Sequence, residues 1–198
     1  MNQGPASRFD ASYFARFYES PRSRVYGAEQ LGHLARATTA MITWLGGELR
    51  TVLDVGAGVG LWREWFASNL PRVRYRSTDA SAYACSRYGH ERRNLATWRA
   101  RDKFDFIICQ GVLPYLSDED CAAALANMAA MSRGFLYLEA ITAHDLSETC
   151  DLNRTDGAVH AREGAWYRLE LARNFVPLGL GMHYVKTGPL RFYELERG

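Results

Sequence analysis

The residues that point most clearly to chemistry stand in one short stretch, TVLDVGAGVG, at residues 51–60. An apolar run meets the acid Asp54, and glycines then follow at alternate positions, Gly56, Gly58 and Gly60. Such a run, ended by closely spaced glycines, predicts a buried parallel strand that turns into a helix. Glycine tolerates a positive φ at this turn and lets a ligand approach the bare backbone. The stretch therefore predicts a ligand site at the end of the first strand.

Two classes of ligand bind at a glycine turn after a first strand, and the spacing distinguishes them. The dinucleotide fingerprint is G-x-G-x-x-G, and its helix start contacts the pyrophosphate. In this chain the third glycine comes one residue early, and the bulky Trp62 stands near the helix start. The carboxylate of Asp54 repels a pyrophosphate, whereas it suits a cationic amino group or hydroxyl donors. Spacing and charge both disfavour a dinucleotide.

Strands and helices alternate on either side of this turn. Further strands are predicted at residues 73–79, which end in Asp79, and at 104–109 and 134–140, with a weak candidate at 95–98. Helices are predicted over residues 61–69, 82–88 and 117–131. This alternation is typical of a mostly parallel sheet covered by helices on both faces.

The two ends of the chain have a different pattern. Residues 178–184 and 190–195 are predicted strands, and the connection between them is short enough to require an antiparallel hairpin. Helical patterns at residues 9–20 and 28–45 precede the first strand. We expect one domain over residues 1–198, with a helical extension at 1–48 and a core at 49–198. The extension either packs on the core or forms a lid through Tyr13, Tyr18 or Arg22.

Four features together resemble the class I S-adenosylmethionine-dependent methyltransferases. VLDVGAGVG is similar to the first motif of that family, in which an acid precedes a G-x-G-x-G turn. Asp79 closes the second strand where the family places an acid, and FDFIICQGVLPYL is similar to the fourth-strand motif. The hairpin resembles the family's reversed last strand. The resemblance implies an α/β fold with a doubly wound, seven-stranded, mostly parallel sheet and S-adenosyl-L-methionine as cofactor.

The resemblance also implies which residues contact the cofactor. The glycine turn is expected to pack against the methionine part, Asp54 to hold the turn or receive the amino group, and Asp79 to accept both ribose hydroxyls. Cys109 is expected to line the pocket, although free cysteine more often packs as a small buried apolar residue. The full predicted set is Asp54, Gly56, Ala57, Gly58, Gly60, Asp79, Ala80, Asn94, Leu95, Cys109, Gln110 and Gly111.

The acceptor is expected to bind at the polar connection that follows the fifth strand, residues 141–168. A long connection without secondary structure is usually functional, and this one leaves the ligand-binding edge of the sheet. His160 or His144 is the predicted general base, and Tyr167 and Arg168 are predicted to orient the acceptor. The alternative is a solvated loop with ordinary surface contacts.

The composition limits the classes of molecule that we expect this protein to bind. The net charge is only +2, and the motif by which amino-methylating nucleic-acid enzymes hold a base is absent, so a small-molecule acceptor is expected rather than nucleic acid. The four cysteines form no CxxC pair, which predicts no metal site, and no apolar stretch predicts a signal peptide or membrane span. We therefore expect a soluble cytoplasmic protein, with no prediction of its oligomeric state.

The predicted activity is transfer of a methyl group from S-adenosylmethionine to an oxygen or nitrogen atom. Two alternatives stay open at the level of sequence. One is an NAD(P)-dependent oxidoreductase, which Asp54 disfavours. The other is a non-catalytic scaffold that binds S-adenosylmethionine without turnover.

Overall fold

Seven strands form a single sheet in the computed structural model, which describes residues 8–197. They lie in the order β3-β2-β1-β4-β5-β7-β6, and β7 alone runs antiparallel to its neighbours. This arrangement confirms the predicted fold class, including the C-terminal hairpin. The strands are β1 Thr51–Val55, β2 Arg74–Asp79, β3 Glu91–Arg92, β4 Phe104–Gln110, β5 Ser132–Glu139, β6 Phe175–Gly179 and β7 Met182–Val185.

Helices cover both faces of the sheet, and two of them precede it. The N-terminal helix α1 continues directly into a π-helical turn, and serine side chains cap α4 and α5 at their N-termini. The helices are α1 Ala11–Phe14 with the π-turn Ala15–Glu19, α2 Ala28–Trp44, α3 Leu61–Asn69, α4 Ala82–Tyr88, α5 Asp118–Met131, α6 Ala143–Glu148 and α7 Gly164–Leu171. Short 3₁₀ segments occur at Leu113–Tyr115 and Glu194–Glu196. The first seven residues of the predicted N-terminal extension lie outside the described residues.

The core has two halves, one on each side of the sheet. Alternate residues of the central strands point to opposite faces, so that Leu53 packs with α5 and α7 while Val52 packs with α2 and α3. All five residues of β1 are buried. Burial of both faces explains why apolar residues stand at consecutive positions in these strands, as at Val52 and Leu53 of β1 and from Phe106 to Cys109 of β4.

The hairpin differs from the prediction in its register. The chain reverses through Gly179, Leu180 and Gly181, whose φ angles are 86°, 52° and 77°. The predicted strand at residues 178–184 therefore contains the turn, and residues 190–195 form no strand. Apolar residues alternate straight through this turn in the sequence, which hides it from a periodicity argument.

The predicted position of the edge strand of the parallel sheet was also wrong. It lies at Glu91–Arg92, where Thr78 of β2 pairs with Glu91. The predicted strand at residues 95–98 is a turn instead. Asn94 accepts a hydrogen bond from the Ala96 amide at 2.9 Å, and its carbonyl accepts from the Trp98 amide at 2.8 Å. These hydrogen bonds of Asn94 stabilise a turn in place of the predicted strand.

The connection at residues 141–168 is not structureless. It holds α6, which begins with a capping box between Thr142 and Asp145, and it ends within α7. Between these helices Arg162 is only 6% exposed. Its guanidinium donates to Asp118 at 2.7 Å, to the Leu113 carbonyl at 3.2 Å and also to the Leu116 carbonyl. These bonds fasten the connection to the chain that follows β4.

No helix within residues 8–197 is both long enough and apolar enough to cross a membrane.

Candidate functional site

The glycine turn after β1 needs glycine at its first position for two reasons. Gly56 has a φ of 70°, and a Cβ atom there would lie 2.2 Å from Cγ2 of Val112. The amides of Gly56 and Ala57 both donate to the Thr78 carbonyl, at 2.8 and 3.0 Å. The turn is thus held against the end of β2, with Gly60 at the start of α3.

Asp79, the last residue of β2, spans the space between this turn and α4. One carboxylate oxygen accepts from the Gly58 amide at 3.0 Å, and the other accepts from the Ser81 amide at 2.8 Å. The side chain remains partly exposed. Its carboxylate therefore has a fixed orientation and further acceptor capacity for ligand hydroxyls.

Asp54 differs from Asp79 because it is almost completely buried, at 2% exposure. Burial raises the pKa of Asp54 to about 7, although the Tyr75 hydroxyl donates to this carboxyl and opposes the shift. Near neutral pH this side chain is therefore partly protonated. Both predicted roles of Asp54, holding the turn and receiving an amino group, stay predictions.

This shift predicts a pH dependence of folding that Asp54→Asn should remove. The folded-state pKa of about 7 lies above the ordinary value of 3.8, so the folded state binds more protons and loses stability as the pH rises between these values. At 1.36 kcal/mol per pKa unit the loss reaches at most about 4 kcal/mol. Urea unfolding at pH 4.5 and pH 8 measures it. Tyr75→Phe is the control: it removes the opposing hydrogen bond and should extend the loss to higher pH. Equal pH slopes in wild type and Asp54→Asn contradict the prediction.

His90 supports the glycine turn through hydrogen bonds. Nothing in the sequence indicated this role. Its Nε2 lies 2.9 Å from the Gly58 carbonyl, and its Nδ1 lies 2.9 Å from the Ser77 hydroxyl. A carbonyl only accepts, so Nε2 carries the proton and Nδ1 accepts from the serine. Burial lowers the pKa of His90, which keeps the ring neutral. The residue lies outside every motif, and only the fold brings it to the turn.

A second cluster of polar side chains stands where β4 and β5 end side by side. The Trp62 indole donates to Gln110 Oε1 at 2.8 Å, and Gln110 Nε2 donates to Glu139 at 3.2 Å. Glu139 also accepts from the Tyr137 hydroxyl at 3.0 Å and from the Tyr26 hydroxyl. An indole N–H can only donate, which fixes the orientation of the Gln110 amide.

One cavity of about 210 Å³ joins the glycine turn to this cluster. Its floor comes from the ends of β1, β4 and β5, and its walls come from the N-terminal segment and the connection after β5. The walls contributed by the N-terminal segment are strongly aromatic. Residues that line the cavity include Tyr13, Phe17, Tyr18, Tyr26, Asp54, Gly56, Trp62, Gln110, Tyr115, Glu139 and Asp156.

The N-terminal segment is tied across the cavity by long-range hydrogen bonds. Arg8 pairs with Asp156 at 2.6 Å, and the hydroxyls of Tyr13 and Tyr115 share a bond of 2.8 Å. The Ser81 hydroxyl donates to the Phe9 carbonyl, and the Tyr88 hydroxyl donates to Glu19 at 2.6 Å. The segment therefore forms a wall of the cavity, which Tyr13 and Tyr18 line and Arg22 does not, and its role as a lid stays a prediction.

Most of the predicted cofactor residues meet at this cavity. Asp54, Gly56, Ala57, Gly58, Gln110 and Gly111 line it, and Gly60 and Asp79 complete the turn beside it.

Six of the twelve predicted residues do not line the cavity: besides Gly60 and Asp79 at the turn, these are Ala80, Asn94, Leu95 and Cys109. Ala80 and Asn94 are exposed beyond the ends of β2 and β3, and Leu95 is buried in the core. Cys109 is 0% exposed and packs in the core beside Cys121, which is the alternative position expected for a free cysteine. Burial raises the pKa of the Cys109 thiol well above its usual range. A strand residue that points into the core cannot contact a ligand at the strand's end.

The four predicted catalytic residues are not brought together. His144, His160 and Arg168 are exposed, while Tyr167 is buried and its hydroxyl accepts from Arg162 at 3.3 Å. None of the four lines the cavity. Their catalytic roles stay predictions. Within residues 8–197, no group of three or more His, Cys, Asp or Glu side chains is placed to hold a metal ion.

Comparison with known families supports the cofactor class. Residues 53–133 match a family model described as a methyltransferase domain. This match begins within β1 and ends within β5, so it includes the glycine turn and Asp79. No curated protein matches the chain significantly.

Solved structures of similar fold include several methyltransferases. An S-adenosylmethionine-dependent methyltransferase from Clostridium acetobutylicum aligns over 90% of this chain and 99% of its own, with a TM-score of 0.66 and 13% identity. Magnesium protoporphyrin IX methyltransferase from Synechocystis, with bound S-adenosylmethionine, aligns over 91% and 92%, with a TM-score of 0.57 and 16% identity.

The plantazolicin methyltransferase BpumL, in complex with S-adenosylhomocysteine, aligns over 74% of this chain with a TM-score of 0.60 and 11% identity. The chain spans 63% of the length of that protein. These matches and the family model confirm the resemblance that the glycine turn, Asp79 and the reversed last strand indicated.

Proposed function

We propose that this chain, an S-adenosylmethionine-dependent methyltransferase of the class I fold, methylates an oxygen or nitrogen atom of a small molecule. The single observation that carries the proposal is the continuity of one cavity. It extends from the glycine turn to the polar cluster at Gln110 and Glu139, so the reacting atoms of donor and acceptor can meet in one space. Methyl transfer requires that the acceptor atom is aligned with the methyl group and that water is kept away from both.

The residues around the turn fit the cofactor. Gly56 and Gly58 line the cavity with bare backbone, and the oriented carboxylate of Asp79 suits vicinal ribose hydroxyls. Asp54, Gln110 and Gly111 also line the cavity. When bound, the cofactor supplies a methyl group already activated on a positively charged sulfur.

The protein's own part is then positioning and shielding. Tyr13, Phe17 and Tyr18 cover the cavity with aromatic rings, which excludes water from the reacting atoms. Trp62 and Gln110 hold the polar cluster in one orientation through their 2.8 Å hydrogen bond. A base is needed only when the acceptor must lose a proton. Glu139 is the partly buried carboxylate on the β5 side of the cavity, and we favour it over the exposed His144 and His160 for that role.

A small-molecule acceptor fits the chemical character of this space. Aromatic and apolar side chains surround a few polar groups, as is usual in pockets for small ligands. Two of the similar structures are methyltransferases named for the compounds plantazolicin and magnesium protoporphyrin IX. Both observations support a compound, rather than a nucleic acid, as the acceptor.

A thermal-shift comparison of S-adenosylhomocysteine with NAD tests the proposal. A ligand present at 100 times its dissociation constant stabilises the folded state by about 2.7 kcal/mol, which raises the unfolding temperature by several degrees. We expect that rise with S-adenosylhomocysteine and none with NAD. A rise with NAD alone would instead favour an oxidoreductase, and the cofactor assignment would fail.

A further inference from the structure

We infer that the methyl acceptor is an amine and that Glu139 binds its nitrogen. This inference rests on the proposed function and names the substrate class of the same cavity. It follows from the partners of Glu139, from the charges around the cavity and from the character of its walls.

Glu139 is held in place entirely by neutral donors. The Tyr137 hydroxyl at 3.0 Å, the Gln110 amide at 3.2 Å and the Tyr26 hydroxyl all donate to its carboxylate. Three neutral donors orient the carboxylate, but they leave its negative charge uncompensated. No Arg, Lys or His side chain forms a salt bridge with it among the residues that the structure describes.

The other charges around the cavity do not supply the missing cation. The charged residue types that line it in the described chain are all acids, namely Asp54, Glu139 and Asp156. Asp156 is already paired with Arg8 at 2.6 Å, and the Asp54 carboxyl accepts a hydrogen bond from the Tyr75 hydroxyl. A partly buried carboxylate without a counter-charge is costly, and a cationic group of a ligand removes that cost. An anionic acceptor would meet repulsion in the same place.

The walls of the cavity favour the same chemical class. Tyr13, Phe17, Tyr18 and Tyr115 line the same cavity as Glu139 with aromatic rings. Aromatic rings attract ammonium groups through their faces and accommodate an apolar body beside them. An amine joined to an apolar or aromatic framework therefore matches both the carboxylate and the walls.

The chemistry of the step also gives Glu139 a task. A bound ammonium group has no free electron pair, so it must first lose a proton, which the Glu139 carboxylate accepts. The nitrogen then forms a bond to the methyl carbon as the carbon–sulfur bond breaks, and the electron pair of that bond remains on sulfur. The product is a methylated ammonium ion beside a neutral thioether.

Calorimetric titration with three matched probes tests the inference. The protein, saturated with S-adenosylhomocysteine, is titrated with 2-phenylethylamine, 2-phenylethanol and phenylacetate. We expect the amine to bind about tenfold or more tightly than the alcohol, since a charge-assisted hydrogen bond is lost in the alcohol, and we expect no binding of the carboxylate. In Glu139→Gln, which keeps the size of the side chain, the preference for the amine should disappear while the affinity for S-adenosylhomocysteine stays within about twofold. Glu163→Gln, an exposed acid outside the cavity, should retain the full preference.

Each other outcome is decisive. Failure of the wild type to bind S-adenosylhomocysteine overturns the proposed function, and this inference with it. Normal cofactor binding without a preference for the amine overturns the inference alone. A loss of cofactor affinity of about tenfold in Glu139→Gln, with the fold retained by circular dichroism, would show that Glu139 serves the cofactor and would also overturn it.

Discussion

Replacing Asp79 with alanine is expected to weaken binding of S-adenosylhomocysteine by about 30- to 150-fold, equivalent to about 2–3 kcal/mol. The carboxylate already accepts from the amides of Gly58 and Ser81, so its oxygens are fixed before a ligand arrives. The variant loses the acceptor for the ribose hydroxyls and also the bond that anchors the glycine turn. Isothermal titration calorimetry measures the change directly.

Two further variants separate these contributions. Asp79→Asn keeps one acceptor oxygen, so we expect an intermediate loss of affinity. Asp102→Ala removes an exposed acid away from the cavity and should bind like the wild type. If Asp79→Ala keeps its fold by circular dichroism and binds S-adenosylhomocysteine normally, a different acid holds the ribose.

Arg162→Ala is expected to lower the free energy of unfolding by about 2–4 kcal/mol. The loss comes from buried acceptors left without a donor, because the guanidinium serves the carbonyls of Leu113 and Leu116 and the Tyr167 hydroxyl. Arg162 also lies over the Trp166 ring, 4.9 Å from its centre. Urea denaturation measures the change.

Conservative variants show which contact matters. Arg162→Lys keeps the charge but not the planar fork, so we expect it to recover less than half of the loss. Asp118→Ala should cost less than about 1 kcal/mol, because that carboxylate is 72% exposed and a surface ion pair contributes little. An exposed arginine, Arg99, provides the matched control. If Asp118→Ala costs as much as Arg162→Ala, the ion pair and not the carbonyl bonds fixes the connection.

The sequence predicted the features that depend on neighbouring residues. The first turn needs glycine at Gly56 for its φ of 70°, so the need is visible in the spacing alone. Ser117 caps α5 through the Asp120 amide, and its sequence pattern predicts the cap. Helices such as Leu61–Asn69 and Ala82–Tyr88 have the predicted bounds because glycine, proline and serine signals flank them. The position of the cofactor site followed from such local signals.

Features that depend on distant residues were missed. His90 reaches Gly58 across 32 positions, and Arg162 reaches Leu113 across 49. Neither pairing can be predicted from the spacing of residues along the sequence. Tyr167 lies on the face of α7 that packs against α5. The sequence does not show which face of this helix is buried, so Tyr167 was predicted to orient the acceptor although it is a core residue. Chemical type alone did not separate His144 and His160 from residues that line a cavity.

The hydrogen bonds that tie the N-terminal segment across the cavity also bear on the order in which the chain folds. Tyr13, Tyr26 and Arg8 pair with residues 102, 113 and 148 positions further along. Synthesis makes this segment before its partners, which emerge from the ribosome later. Contacts over such separations form after local ones because the intervening loop must close. The segment must therefore wait for its partners, and the cavity is completed only when synthesis has passed Val159.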